Sequence, residues 1–215
     1  MSTEDVWRDI DDQRRHLVTM LEQLSDQQWR QPSLCEGWTV RDVAAHVALQ
    51  NTPWSGLLKG TVAMVRRGGL NPAIQAMARE HAQLPAEQII GEIRDRIGVW
   101  RPLPGVTYRE SAIDYLVHLQ DIAIPLGREV SMSTGATLVA LDRVWSSGRM
   151  FHARKRYAGY RFGATDAAWS AGAGVEVRGP ISGLLLLLTG RTAGWATLSG
   201  PGADDLRATP PAGTR

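Results

Sequence analysis

The feature that most constrains the fold is a series of amphipathic helical segments separated by short glycine and proline breaks. Residues 3–24 carry apolar side chains at mostly three- and four-residue steps. Ser2 with Asp5, and Thr39 with Asp42, have the spacing of a helix N-terminal capping box. Asn71 and Pro72 restart a helix, and a further helix face runs from Ile89 through Ile97 to Trp100. A fourth helix is predicted over residues 107–126. Helices joined by short connections pack antiparallel, so the pattern predicts a four-helix bundle.

After Gly127 the pattern changes. Residues 136–155 still have a helical pattern, but three short β-prone stretches bounded by glycine follow: YRFGATD, VEVRGP and WATLSG. The apolar stretch ISGLLLLLTG, between the second and third, is predicted to be helical. The fold class expected is therefore α+β, with a helical bundle over residues 1–130, a small mixed α/β unit over residues 131–205, and a loose tail over residues 206–215.

Composition excludes several classes of protein. Basic residues number 24 and acidic residues 22, so the net charge of +2 gives no reason to expect a nucleic-acid partner. The longest apolar run, residues 184–188, is far shorter than the roughly 20 residues that cross a bilayer. The single cysteine, Cys35, excludes an intramolecular disulfide. Because the acidic N-terminal segment also lacks the pattern of a signal peptide, we expect a cytoplasmic protein.

One stretch keeps a nucleic-acid alternative open. Basic and aromatic side chains interleave between residues 149 and 161, as they do in proteins that bind single strands by stacking. Charge runs near a domain junction are usually solvated, however, and these could equally meet an anionic substrate. The basic residues are Arg149, Arg154, Lys155, Arg156 and Arg161.

Three polar residues lie within apolar helical surroundings. Asp114 and His118 are four residues apart on one predicted helix, so their side chains share a face one turn apart. His46 lies within RDVAAHVAL on another helix. A buried histidine or carboxylate without a partner is costly, and one divalent cation would satisfy all three groups. Two histidines and one carboxylate leave coordination positions open, which is typical of catalytic sites.

Other interpretations of these residues stay open. Asp114 and His118 could form an ordinary hydrogen-bonded core pair. The same ligand set also suits ferrous oxygenases or metal-activated water, that is, a non-thiol metal enzyme. A third alternative is a non-catalytic stress protein that binds an apolar ligand, with some of the eight tryptophans lining the pocket. Asp121, one turn after His118, could accept its far imidazole proton.

Cys35 has two interpretations. It precedes a predicted helix N-terminus, a position that favours a reactive thiolate. It could instead be a small apolar residue that packs the loop. We favour the second, because thiol chemistry could come from a co-substrate.

Longer motifs carry a resemblance to a known family. The segment QLSDQQWRQPSLCEGWTVRDVAAHVA resembles the N-terminal signature of the mycothiol-dependent maleylpyruvate isomerase family, part of the DinB-like four-helix superfamily. DYLVHLQDIAIPLGRE is similar to the second signature of that family, and TDAAWSAGAGVEVRGPISGLLLLLTGR to its C-terminal region. The three segments occur in the family's order and span most of the chain.

The resemblance implies a divalent metal, usually zinc, on residues that match His46, Asp114 and His118. The characterised isomerase has glutamate where this chain has Asp114, and the shorter side chain could alter metal affinity. An arginine of the C-terminal domain also contributes to the family's active site, and Arg191 is the position that matches it here. For Arg191, a cation at a helix C-terminus is the simpler alternative.

The implied activity uses mycothiol as a thiol co-substrate. A dication lowers the pKa of a bound thiol and favours the thiolate, which can attack an electrophilic carbon. Elimination after bond rotation would isomerise the substrate, whereas retention of the thiol would give an S-conjugate. We therefore expect an isomerase or thiol S-transferase whose partners are a small electrophile and a low-molecular-weight thiol. No membrane partner is expected, and a homodimer is an open alternative to a monomer.

Overall fold

The computed structural model describes residues 1–49, 70–102, 105–148 and 151–211. It has an α+β fold, mostly helical with one three-stranded mixed sheet, as predicted. The chain divides into two compact units, described separately below. The helical unit comprises residues 11–105 and 118–130, and the mixed unit comprises residues 1–10, 106–117 and 131–215. The predicted domain limits at residues 130 and 205 stay a prediction.

The helices are numbered in chain order among the described residues. They are α1 (Thr3–Glu22), α2 (Asp26–Trp29), α3 (Val40–Ala48), α4 (Leu70–His81), α5 (Ala86–Arg94), α6 (Tyr108–Ala123), α7 (Thr134–Ser146), α8 (Ala153–Arg156), α9 (Ile181–Leu188) and α10 (Pro201–Ala208). A 3-10 helix covers Thr192–Thr197.

The capping signals seen in the sequence begin the helices where expected. The Ser2 hydroxyl accepts a hydrogen bond from the Asp5 amide at 3.1 Å, and the Ser2 amide donates to the Asp5 carboxylate at 3.0 Å. Thr39 and Asp42 make the same reciprocal pair at the start of α3. These bonds satisfy amides that have no partner within the helix, which fixes the first residue of each helix.

Within the helical unit, α3 packs against α4 and α5. Its core side chains, Val40, Val43 and Val47, are fully buried. Arg41 donates to the carbonyl oxygen of Ala82 at 2.6 Å, which ties α3 to the end of α4. Helix α3 is thereby held on two sides, and it carries His46.

The helix predicted from apolar periodicity is longer than the observed helix α5. The sequence predicts that the helix face continues through Ile97 to Trp100, but α5 ends at Arg94 and a turn follows. There the indole of Trp100 and the amide of Gly98 both donate to the carboxylate of Asp11. A buried acceptor on α1 therefore ends the helix earlier than apolar periodicity indicates.

The mixed unit contains a sheet of strand order β2-β1-β3. Strand β1 (Gly159–Ala164) pairs antiparallel with β2 (Ser170–Gly172) and parallel with β3 (Gly174–Gly179). Phe162 and Val177, neighbours across the parallel pair, are fully buried. Helix α9 packs against α7 and the 3-10 helix, which gives this unit an apolar core.

One prediction for the C-terminal region is wrong. WATLSG is not a strand: its first half lies in the 3-10 helix, and only Ser199 makes an isolated bridge, to Arg178. The strand that the sequence did not predict is β2, Ser170–Gly172. Its three residues, the last a glycine, are too few to show the alternation of apolar and polar side chains that marks a strand. Helix α10 runs to Ala208, and the looseness of the residues after it stays a prediction. Residues 212–215, like Arg149 of the basic cluster, lie outside the described residues.

Among the described residues, no helix is both long and apolar enough to span a membrane.

Candidate metal centre

The candidate centre is built around His118 on α6. The side chain of His118 is 13% exposed, and that of Asp121, one turn later, is fully buried. Asp114 lies one turn before His118 on the same helix and is half-buried. A carboxylate oxygen of Asp114 and a ring nitrogen of His118 lie within 4.8 Å of each other. The predicted pairing along one helix face is therefore present.

His46 approaches the same imidazole from α3. Its ring centroid lies 4.9 Å from that of His118, with the two planes at 80°. A ring nitrogen of each lies within 4.8 Å of the other. The indole of Trp38 packs edge-on against His46, with centroids 5.4 Å apart. The structure thus brings His118 close to both other predicted ligands.

Asp121 orients the His118 ring. Its Oδ2 lies 2.8 Å from Nδ1 of His118, as anticipated from their spacing. A carboxylate in this position makes Nδ1 the protonated nitrogen of a neutral imidazole and leaves the lone pair on Nε2. His118 can therefore present Nε2 as a ligand while Asp121 holds the ring.

The protonation of His118 reflects competing effects. Burial by itself lowers the pKa of His118, because it disfavours the imidazolium. The hydrogen bond to Asp121 and the interaction with the Cys35 thiol prevail and raise the pKa of His118 to about 10. In the metal-free protein this imidazole is therefore protonated at neutral pH. A cation that binds there displaces a proton.

The loop before α3 is tightly folded and lies against α6. The Ser33 hydroxyl accepts from the Cys35 amide at 3.1 Å, and the Trp38 amide donates to the Cys35 carbonyl at 3.0 Å. Gly37 has φ of 72°, a conformation that other residues rarely adopt. The Leu34 amide donates to the Asp121 carbonyl at 3.0 Å. This loop geometry explains the glycine in PSLCEGW and fixes Cys35 beside the centre.

Cys35 makes polar contacts beyond the packing role that we favoured from the sequence. It is half-buried, and its thiol donates to Oδ2 of Asp121 at 3.1 Å. Sγ also lies 3.9 Å from Nδ1 of His118. Sequence reasoning missed this contact because Cys35 and Asp121 are 86 residues apart. The available signal was the position of Cys35 just before the helix that carries His46.

Comparison with known proteins finds a family domain that part of the chain matches. Residues 10–101 match the family model of the mycothiol maleylpyruvate isomerase N-terminal domain. The resemblance stated from the sequence motifs is therefore confirmed, and His46 and Cys35 both lie in the matched segment. Among curated proteins, none matches the chain.

Solved structures extend the likeness to the fold of nearly the whole chain. A crystal structure of the mycothiol-dependent maleylpyruvate isomerase is similar with a TM-score of 0.65 and 14% identity, and covers 94% of both chains. A histidine-to-alanine mutant of that isomerase gives the same TM-score and coverage at 13% identity. At this identity the likeness supports the fold, including the C-terminal region that the family model does not reach.

Arg191, which the resemblance to the isomerase family singled out, lies in the mixed unit just after α9. It is the residue that precedes the 3-10 helix, and its guanidinium donates to the carbonyl oxygen of Thr189 at 2.8 Å. A cation there complements the C-terminal end of α9. Its active-site role stays a prediction.

Proposed function

We propose that this protein is a metal-dependent enzyme that uses mycothiol as co-substrate to isomerise, or to conjugate, a small electrophile. The observation that carries the proposal is the convergence on His118. The imidazole of His46 lies 4.9 Å away between ring centroids, and Asp114 is one turn along the same helix. The family match and the fold likeness to the isomerase support the thiol-dependent reaction.

The donor set suits a borderline dication. Two imidazoles and one carboxylate are ligands that zinc accepts readily, and this set leaves positions open for a further ligand. We infer that His46, Asp114 and His118 hold the ion, with zinc as the metal expected. When bound, the ion supplies one chemical effect, a lowered pKa of a thiol at the open position. The half-buried surroundings of all three residues strengthen that effect.

The other residues position and complement the reactants. Asp121 holds the His118 ring so that Nε2 is available. Trp38 packs against His46 and restricts its orientation. We assign Arg191 the binding of an anionic group on the substrate, since its guanidinium is charged at all physiological pH values.

The reaction class follows from thiolate chemistry. Addition of the thiolate to one carbon of an activated double bond turns that bond into a single bond, about which the substrate rotates. Loss of the same thiolate restores the double bond with the other geometry, so thiol and substrate atoms balance without an oxidant. If the adduct is instead protonated and released, the product is an S-conjugate.

Metal content tests the ligand assignment. The purified protein should hold close to one equivalent of zinc or a similar metal by elemental analysis, and His46→Ala or His118→Ala should lose it. His16→Ala is the matched control, because His16 is exposed on α1. Full metal content in both ligand variants would reject the site.

Activity tests the reaction. Consumption of mycothiol should be measured against a panel of activated alkenes and halides, with and without a chelator. We expect thiol-dependent turnover that the chelator abolishes and added zinc restores. Turnover of a substrate without any thiol would contradict the thiol-dependent part of the proposal while leaving the metal site intact.

A further inference from the structure

A second group of metal-ligand atoms lies at the Nδ1 edge of the His118 ring. Oδ2 of Asp121 is 2.8 Å from Nδ1 of His118 and 3.1 Å from Sγ of Cys35, and Sγ is 3.9 Å from Nδ1. All three residues belong to the helical unit. The proposed reaction uses Asp121 only to orient the ring and gives Cys35 no part.

The spacing of these atoms matches what a metal ion requires. A triangle with these three sides has its centre about 2 Å from each corner, close to the 2.0–2.3 Å typical of zinc bonds to nitrogen, oxygen and sulfur. A slightly longer bond to sulfur needs only a small displacement of Sγ.

The surroundings hold this cluster in place. Asp121 is fully buried, and its backbone carbonyl accepts from Leu34, the residue before Cys35. Ser33 bonds to the Cys35 amide and to the Trp38 carbonyl, which closes the loop that carries the thiol. The thiol therefore faces Asp121 from a fixed loop, unlike a cysteine on an open surface.

We propose that Cys35, Asp121 and His118 form a second cation position, selective for a strongly thiophilic dication such as cadmium. Binding releases the thiol proton of Cys35 and the Nδ1 proton of His118 to solvent, so the ligands are a thiolate, a carboxylate and a neutral imidazole. Thiolate is the ligand that favours soft metals over manganese or magnesium. We call this the inner position, and that of His46, Asp114 and His118 the outer position.

The two positions exclude each other. A neutral imidazole has one lone pair, on either Nδ1 or Nε2, because the other nitrogen carries the proton. An ion at the inner position takes the lone pair of Nδ1 while Nε2 carries the remaining ring proton, so His118 no longer serves the outer position. A thiophilic metal is therefore an inhibitor of any activity that depends on the outer ion. The inner position itself does not depend on the proposed function.

Cadmium titration of the metal-free protein tests the inner position. Cadmium bound to thiolate gives a near-ultraviolet charge-transfer absorption, and Cys35 is the only cysteine in the chain. We expect this band to rise to saturation at one equivalent in the native protein. The same saturation is expected in His46→Ala, which removes an outer ligand only.

Two variants separate a built site from a reactive thiol. Cys35→Ser should abolish the band, and circular dichroism should show that the fold is retained. His118→Ala keeps the thiol, but we expect cadmium affinity to fall at least about tenfold, since even indirect partners of a metal change affinity 10–100-fold. His118→Gln gives a second measurement if His118→Ala fails to fold.

Three results would overturn the inner position. The first is the absence of a charge-transfer band in the native protein at stoichiometric cadmium. The second is an unchanged cadmium affinity in both His118 variants, which would mean binding to the thiol alone. The third is loss of the cadmium band in a folded His46→Ala variant. Loss of zinc from His46→Ala with retention of the cadmium band would instead support both positions separately.

Discussion

Two buried helices of this protein are built in opposite ways. In α9 of the mixed unit, seven of eight residues are buried, none of them polar: Ile181, Gly183, Leu184, Leu185, Leu186, Leu187 and Leu188. In the part of α6 that belongs to the helical unit, the buried face instead carries His118 and Asp121. An apolar helix gains stability from every side chain it buries. A buried imidazole–carboxylate pair must instead offset the cost of removing both groups from water, so the stability it contributes depends on the protonation of the imidazole.

This difference between α9 and α6 also predicts different consequences for substitutions in the two regions. Changes in the apolar core of the mixed unit should reduce stability and leave ligand binding to the folded protein intact. Changes around His118 should alter metal binding and protonation more than folding.

Phe162→Ala should destabilise the protein by about 3–5 kcal/mol, the range for removal of a buried aromatic side chain. Phe162 is fully buried and contacts the rings of Trp145 and Tyr157 edge-on, at 5.8 and 5.6 Å between centroids. Chemical denaturation measures the loss. Phe162→Leu, which keeps most of the volume, should lose much less. A folded Phe162→Ala variant that no longer binds metal would contradict the separation of core stability from metal binding.

The stability of the metal-free protein should depend on pH through His118. The pKa of this histidine is raised to about 10 in the folded state, above its ordinary value of 6.5. The stabilisation is therefore fully present below pH 6.5 and is lost as pH rises toward 10, with a total on the order of a few kcal/mol.

Denaturation of the metal-free native protein and of His118→Gln, at several pH values between 6 and 10, checks this expectation. The difference in unfolding free energy between the two should shrink as pH rises. A constant difference across that range would mean that the interaction with Asp121 does not favour the imidazolium.

Asp121→Asn should lower the affinity of the outer position for zinc by about 10–100-fold, which corresponds to roughly 1.4–2.8 kcal/mol. The amide keeps the size of the side chain but removes the charge that holds the His118 ring. Competition with a chromophoric chelator measures the change. Asp42→Asn, a substitution in the α3 cap of the same unit, should leave zinc affinity unchanged. Equal zinc affinities for the native protein, Asp121→Asn and Asp42→Asn would mean that Asp121 does not support metal binding at the outer position.

Thr39→Ala should cost about 1 kcal/mol of stability, because the start of α3 loses its capping oxygen. Thr39→Ser keeps that oxygen and is the matched control. Thermal melting of the two variants compares them directly. We expect the metal content of folded Thr39→Ala to stay near that of the native protein, since only the first turn of α3 is affected.

Features that depend on local chemistry could be predicted from the amino-acid sequence. The capping pairs of Ser2 with Asp5 and Thr39 with Asp42 predicted two helix starts, and apolar periodicity predicted the main helices. The one-turn spacing of Asp114, His118 and Asp121 predicted a polar face on α6, and the hydrogen bond of His118 to Asp121 followed from it. The family motifs also predicted the overall fold.

Features that depend on contacts between distant segments became visible in the folded structure. The acceptor on Asp11 ends α5 before Trp100, and parallel pairing with β3 makes β1 the central strand. The Cys35 thiol meets Asp121 only because the loop folds back against α6. Helical and strand periodicity record which side of an element is buried, but they do not record which residue of another segment lies against it. That information exists only once the chain is packed.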